Sequence, residues 1–433
     1  MRFALCVLLL ASSAAAKTVV VRAGWLVDGT GAAPQRDVAI VIRDGRIQAI
    51  GPSAKTPTPD GAETVDLSSY WVLPGLIDCH THLAGRADQW DDILAFKQSP
   101  FHGAFAAVKN AETTLLAGFT TVRDLGSAPF LAVDLRDSID EGFLKGPRVV
   151  ASGPGISMTG GHGDLNGYSP TVGVWMYREE RDFAIADGTD QMRHVVRAQI
   201  KHRVDVIKVI ASGGVLSKSD QPGAAQLTVE EIKAAADEAH AAGRKVAAHA
   251  HGTQGIKNAV IAGVDSIEHG SLIDDEGIRL MKARGTFLVA DIYNDDYLLT
   301  QAPKLGLAPE HVEKEKKIGR PQRENFARAV KAGVKIAFGT DAGVYPHGDN
   351  AKQLAYMVKY GMTPAAAIRA ATGNAAELLG RAADVGTLQT GRFGDLIAVT
   401  TDPLKDVRVL ESIPFVMKGG EIVKDELSRN RRR

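Results

Sequence analysis

A small set of residues in this chain has the types and spacing of divalent-metal chemistry. His80 and His82 are separated by one residue, at the end of the apolar stretch Val72–Ile77 and its continuation. On an extended strand, side chains alternate with period two. Both imidazoles then face one way and can share one cation. Cys79 and Thr81 would face the helices, and Cys79 reads as buried packing, not as a ligand. Alone, a His-x-His pair is equally explained by two satisfied polar residues at a strand end. Its weight comes from other polar residues in matching places: Lys208 inside Val206-Ile207-Lys208-Val209-Ile210, His249 and His269 closing later apolar runs, and Asp341 after Phe338-Gly339-Thr340.

Lys208 is the most unusual of these. A lysine among Val and Ile is costly to bury in its charged form. It can reach the rim of the fold or pair with a carboxylate. With histidines and an aspartate converging nearby, desolvation toward the neutral amine is the better reading, and cations would favour its conversion to a bridging anionic form. His251 shares parity with His249, so it is either a further ligand or a substrate contact. His162, in the loop Gly160-Gly161-His162-Gly163-Asp164, is placed to line a pocket. Glu268 has parity opposite to His269 and is expected to pack outward. Arg123 and Asp124 read as a structural ion pair. His102, His194, His202, His240 and His311 read as surface residues. Leu216, Val344, Tyr345 and His347 lie on loops expected to shape the pocket. Neither Gly160-Gly161 nor Gly213-Gly214 has the spacing of a phosphate-binding loop.

These residues must be held by a scaffold of alternating strands and helices. Candidate strands are Val72–Ile77, Thr120–Leu125, Arg148–Ser152, Val204–Ile210, Lys245–His249, Val264–Glu268, Thr286–Ala290 and Val334–Gly339. Helical stretches separate most of them. Thr228 with Glu231 forms a capping box and Gly243 a stop; Thr363 before Pro364 starts another helix. The pattern predicts an α/β fold, a (β/α)8 TIM barrel, with a doubly wound sheet as the alternative. The chemical residues fall at strand C-terminal ends, where barrel active sites are built. Short β-like runs at both ends, including Val38–Ile42 with the turn Asp44-Gly45 and Asp395–Val399, are expected to form one small β-sandwich domain. The divisions read as 1–16 signal peptide, 17–72 and 385–433 β-domain, and 73–384 barrel.

Lys+Arg and Asp+Glu number 51 each, so the formal net charge is +0 and no bulk attraction to nucleic acid or an anionic membrane follows. Arg431-Arg432-Arg433 reads as a solvated end. Arg2, the apolar run Ala4–Leu10 and Ala14-Ala15-Ala16 form a secretory signal too short to anchor in a bilayer, so export to a periplasmic or secreted location is expected. Loss of Cys6 with the signal leaves Cys79 alone, and no intrachain disulfide is possible.

Leu73-Pro74-Gly75-Leu76-Ile77-Asp78-Cys79-His80-Thr81-His82, with Lys208, His249, His269 and Gly339-Thr340-Asp341-Ala342-Gly343, resembles the amidohydrolase superfamily over essentially the whole mature chain. Lys208–Gly214 and His249-Ala250-His251-Gly252 resemble the branch of Xaa-Pro dipeptidases (prolidase-like enzymes), imidazolonepropionase-related proteins and ochratoxin-degrading amidases. The resemblance implies about two Zn2+ ions per chain. His80, His82 and Asp341 would hold one and His249 and His269 the other, with carboxylated Lys208 as the bridge. It further implies a metal-bridging hydroxide as nucleophile, Asp341 as catalytic proton shuttle, and His162 and His251 as ligands of a substrate carboxylate. The substrates implied are small molecules or dipeptides: Xaa-Pro dipeptides, N-acyl amino acids or ochratoxin A. A homo-oligomer is implied as well. A cyclic-amide or lactone hydrolase and a secreted non-catalytic binding protein are the alternatives. Asn374-Ala375-Ala376 departs from the Asn-Pro-Ala of relatives, beyond the metal motifs.

Overall fold

The structure, a computed structural model, describes residues 17–90, 97–169, 171 and 181–430. The expected signal segment 1–16 and Arg431-Arg432-Arg433 lie outside the described residues. Four strands open the chain: β1 (Thr18–Leu26), β2 (Gln35–Arg43), β3 (Arg46–Pro52) and β4 (Glu63–Pro74). Asp44 and Gly45 both have positive φ, 50° and 78°. That backbone suits the two-residue turn of a right-twisted hairpin, and β2 and β3 pair across it.

The barrel strands follow. They are β5 (Leu76–Thr81), β6 (Phe119–Asp124), β7 (Arg148–Ala151), β8 (Val206–Ile210), β9 (Lys245–Ala250), β10 (Ser266–His269) and β11 (Phe287–Val289). The chain then returns to the first sheet through β12 (Leu396–Val399), β13 (Phe415–Lys418) and β14 (Glu421–Asp425). Both chain ends thus build one seven-stranded sheet in the order β14-β13-β12-β4-β1-β2-β3. Val19, Val21, Ile40, Ile42, Leu396 and Phe415 pack as one core on it.

Parallel pairing joins β5-β6-β7 and β8-β9-β10-β11. Bridges from Ser152 to Val206, Leu288 to Ile336 and Thr81 to Ala342 complete the ring. The eighth strand, expected over Val334–Gly339, is reduced to the Leu288–Ile336 bridge and a few backbone hydrogen bonds, from Leu288 N to Lys335 O, Ala337 N to Leu288 O and Cys79 N to Phe338 O. Two substitutions explain why. The Gln353 side-chain amide donates to the carbonyls of Ala290 and Gly339, in place of strand amides. The carbonyls of Ala370 and Ala371 accept the amide hydrogens of Phe338 and Ile77. Asn374 donates to Ile336 O at 2.9 Å, and Ala375 and Ala376 pack with Cys79, Val206, Ala247 and Val289. Residues from strands around the ring meet this way only across its interior.

Cys79 therefore faces the barrel interior and not the helices. The register of β5 against β6 shifts between Asp78 and Thr81, and strict alternation does not survive it. The two expected caps form. Thr228 accepts from Glu231 N while the Glu231 carboxylate accepts from Thr228 N, opening the helix Val229–Ala241. Thr363 caps Pro364–Ala370. No helix of the described residues is long and apolar enough to cross a membrane.

Candidate metal centre

The strand ends bring His80, His82, Lys208, His249, His251, His269 and Asp341 to one cavity of about 520 Å³, with His162 on its wall. Volumes of several hundred Å³ are ordinary for small-molecule sites. One donor atom from each of His80, His82 and Asp341 lies within 4.8 Å of the others, and the same holds for His249, His251 and His269. Nε2 of His82 is 3.1 Å and Nε2 of His80 is 3.3 Å from Asp341 Oδ1.

The far nitrogens of several rings are tied back, which frees the near ones for a cation. His82 Nδ1 donates to Gly126 O at 2.8 Å. His269 Nδ1 lies 2.9 Å from Asp291 Oδ1, and Gln322 and Asn294 donate to the same carboxylate. His80 Nδ1 approaches Glu268 Oε2 to 3.0 Å, without the alignment of a hydrogen bond. The donor set of imidazoles and carboxylate suits zinc.

His269 reaches the cavity because its φ is +68°, a left-handed conformation that turns the strand end inward. Glu268 then keeps the inward direction that Ser266 has. It does not pack outward: it is fully buried, and Arg123 Nη2 donates to it at 2.8 Å. Arg123 accordingly pairs with Glu268 and not with Asp124, since adjacent strand residues face opposite ways. Asp124 instead accepts from the amides of Leu83 and Gly126.

Burial and the neighbouring Lys208 hold the His80 imidazolium well below its ordinary range; burial and adjacent histidines do the same to His249 and His251. Burial would lower His82 too, but the Asp341 contact outweighs it and raises that ring. Lys208 is buried on β8 and makes no ion pair among the described residues. Burial pushes its amine down to about 8, against the pull of Glu268 and Asp341.

His162 and His251 sit beside the donors. Their rings lie 4.4 Å from His249 and 4.5 Å from His269, centroid to centroid. His251 Nδ1 is 2.8 Å from Ser271 Oγ, and His162 Nδ1 is 2.7 Å from Ser217 Oγ. Ser217 gives its proton to Asp220, which is also bound by Lys314 Nζ at 2.8 Å. Lys314 and His311 are buried on the helix Pro309–Ala332 and hold Gly214 O and Val215 O. His311 is thus no surface residue: its helix lies over the cavity. His202 is half-buried against Phe130, while His240 is exposed and meets Asp265. Leu216 and Val344 line the cavity; Tyr345 and His347 pack behind it.

Asp291, Asn294, Glu315 and Gln322 also line the cavity and were not singled out in the sequence. Asp291 directly follows an expected strand, so the strand-end rule that found Asp341 applies to it. The others lie on helices, where no strand-end signal exists.

The amidohydrolase family model matches residues 71–423. Ochratoxinase of Aspergillus niger is 36% identical over 436 residues, covering 96% of this chain and 89% of that protein. A crystallised Xaa-Pro dipeptidase with bound methionine superposes with a TM-score of 0.88 at 37% identity, covering 94% of this chain and 100% of the other. A prolidase complexed with N-methylphosphonate-L-proline gives 0.86 at 30% identity, with 95% and 100% covered. The chain belongs to the amidohydrolase family. It is a hydrolase of carbon–nitrogen bonds, amide or peptide.

Proposed function

We propose a binuclear zinc amidohydrolase that cleaves the amide or peptide bond next to a C-terminal carboxylate. Its substrates are Xaa-Pro dipeptides or N-acyl amino acids, a chemical class that includes ochratoxin A. The reading is supported above all by the convergence of His80, His82, Lys208, His249, His269 and Asp341 on one cavity. The likeness to ochratoxinase and to Xaa-Pro dipeptidase supports the substrate class.

His80, His82 and Asp341 would hold one ion and His249 and His269 the other, with Lys208, carboxylated on its amine, as a further ligand. An amine pushed down to about 8 keeps a neutral fraction able to add carbon dioxide. Zinc bound there, about two ions per chain, would lower the pKa of a water and supply Lewis-acid polarisation of a carbonyl. Asp341 takes the proton of the attacking water and delivers it to the leaving amine. His251 and His162 receive the substrate carboxylate. If Ser271 donates to His251 Nδ1, the neutral His251 ring can donate from Nε2. Ser217 gives its proton to Asp220, so the neutral His162 ring donates from Nδ1 to Ser217, and its Nε2 gains a proton only when the substrate carboxylate holds one there against the burial that lowers this ring to about 4. Export removes the first 16 residues, leaving a mature chain that begins near Lys17 and assembles as a homo-oligomer.

Xaa-Pro dipeptides, N-acyl amino acids and ochratoxin A, assayed with zinc present, test the reading. Turnover of at least one class is expected; inertness toward all of them would overturn it.

A further inference from the structure

The cavity is lined by three carboxylates, and their surroundings differ. Asp341 meets His80 and His82. Asp291 meets His269, Gln322 and Asn294. Glu315 is only 4% exposed and has no hydrogen bond or ion pair among the described residues.

The helix Pro309–Ala332 presents Glu315, Ile318 and Gln322 to the cavity, spaced as one face of a helix. Neighbouring polar groups on this helix are satisfied by the protein. Lys314 holds Asp220, His311 holds Val215 O, and Gln322 holds Asp291. Arg323 lies 3.0 Å from Asp295 and 2.8 Å from Asp296, so its charge is already engaged. An unpartnered carboxyl this deeply buried costs stability unless something else completes it. Burial and the nearby Asp295 and Asp291 push Glu315 up to about 8.

We infer that Glu315 is a specificity-determining residue that binds a cationic group of the substrate, an ammonium or guanidinium, inside the cavity. This rests on the amide-hydrolase reading and narrows it. Of the three carboxyls that line the cavity, Glu315 is the one with no protein partner among the described residues, a cation beside it would draw it to the ionised form, and Leu216, Leu298, Ile318 and Val344 supply apolar surface for the intervening carbons. Free dipeptides carry such a cation; ochratoxin A does not, and ranks below them.

Matched peptide pairs test this in the zinc-loaded protein. Met-Pro against N-acetyl-Met-Pro reads the α-ammonium. N-acetyl-Lys-Pro against N-acetyl-norleucine-Pro reads a side-chain cation on the acyl side. N-acetyl-Ala-Lys against N-acetyl-Ala-norleucine reads one on the leaving side. The cationic member of at least one pair is expected to have kcat/KM higher by about 10-fold or more, carried by KM. Glu315→Gln and Glu315→Leu should abolish that ratio. No preference in any pair, or a preference that survives both substitutions, overturns the inference. Calorimetric Kd values for the same pairs keep it separate from the hydrolytic reading. Cation selectivity in binding without turnover sinks hydrolysis alone; turnover without selectivity sinks only the role of Glu315.

Discussion

Across the barrel interior, His80 Nδ1 lies 3.0 Å from Glu268 Oε2, while Arg123 holds the other carboxylate oxygen at 2.8 Å. A carboxylate behind a ligand histidine fixes its tautomer and orientation, and removing it typically weakens metal binding about 10- to 100-fold. Glu268→Gln should therefore lower zinc affinity by about that factor, measured by competition with a chelator. An unchanged affinity would show that the pair serves only barrel packing.

Lys208 carries the bridging role in the proposed centre. Lys208→Ala should retain about one zinc per chain at most, against about two in the unaltered protein, by elemental analysis. Full loading of the variant would remove Lys208 from the centre. Added short carboxylic acids restoring the second ion would strengthen the assignment.

His251 lies close enough to His249 and His269 to be a ligand as well as a substrate contact. The proposed role predicts that His251→Ala and His162→Ala keep their zinc. KM for carboxylate-bearing substrates should rise by about 10-fold or more, and kcat should change less. Loss of one zinc from His251→Ala would make that residue a ligand instead.

Lys314 and Asp220 form a buried pair that fixes the loop carrying Ser217, the partner of His162. Lys314→Met leaves Asp220 without its cation, which costs about 3 kcal/mol in comparable buried pairs. In a chain of 433 residues the apparent Tm should fall by about 3 °C. A variant as stable as the parent would show that water screens the pair.

The zinc-free protein should lose stability as pH falls. His80, His249 and His251 are held well below 6.5, and burial lowers His162 and His347 to about 4. A depressed histidine contributes stability fully present above about pH 6.5 and lost as pH drops, because the unfolded ring binds the proton first. Asp78, pushed up to about 7, and Glu315, pushed up to about 8, work the other way and lose stability as pH rises. Asp124, Asp295 and Glu411 are raised as well, but carboxylates held low by their partners, Asp220, Asp265 and Asp291 among them, act in the same sense as the five histidines, so the apparent Tm should decline from pH 6.5 toward 4.5. A flat profile would mean that the rings are not buried neutral.

Much of this molecule was legible before its fold. The chemical positions sit where hydrophobic period and residue type disagree: a lysine among Val and Ile, histidines closing apolar runs, Asp341 after Gly339-Thr340. Caps at Thr228 and Thr363 and the Asp44-Gly45 turn are local devices, determined by residues within a few positions of each other, and the sequence states them outright.

Tertiary structure decided the directions. Period-two reasoning sends Cys79 and Glu268 outward, yet Cys79 shares the inner side with Ile77 and Glu268 with Ser266, while the shifted register before Thr81 and the left-handed His269 accompany histidines that face the cavity beside them. Backbone irregularity of that kind is set by closure of the ring, not by neighbouring residues. The last strand reads as an ordinary apolar run, but its ladder partners are replaced by Gln353 and the carbonyls of Ala370 and Ala371. Burial of His311, Lys314 and Glu315 arises because one long helix lies across the cavity, a contact between segments far apart in the chain. Sequence alone therefore determined which residues can do chemistry; packing over long separations decided which of them face one another.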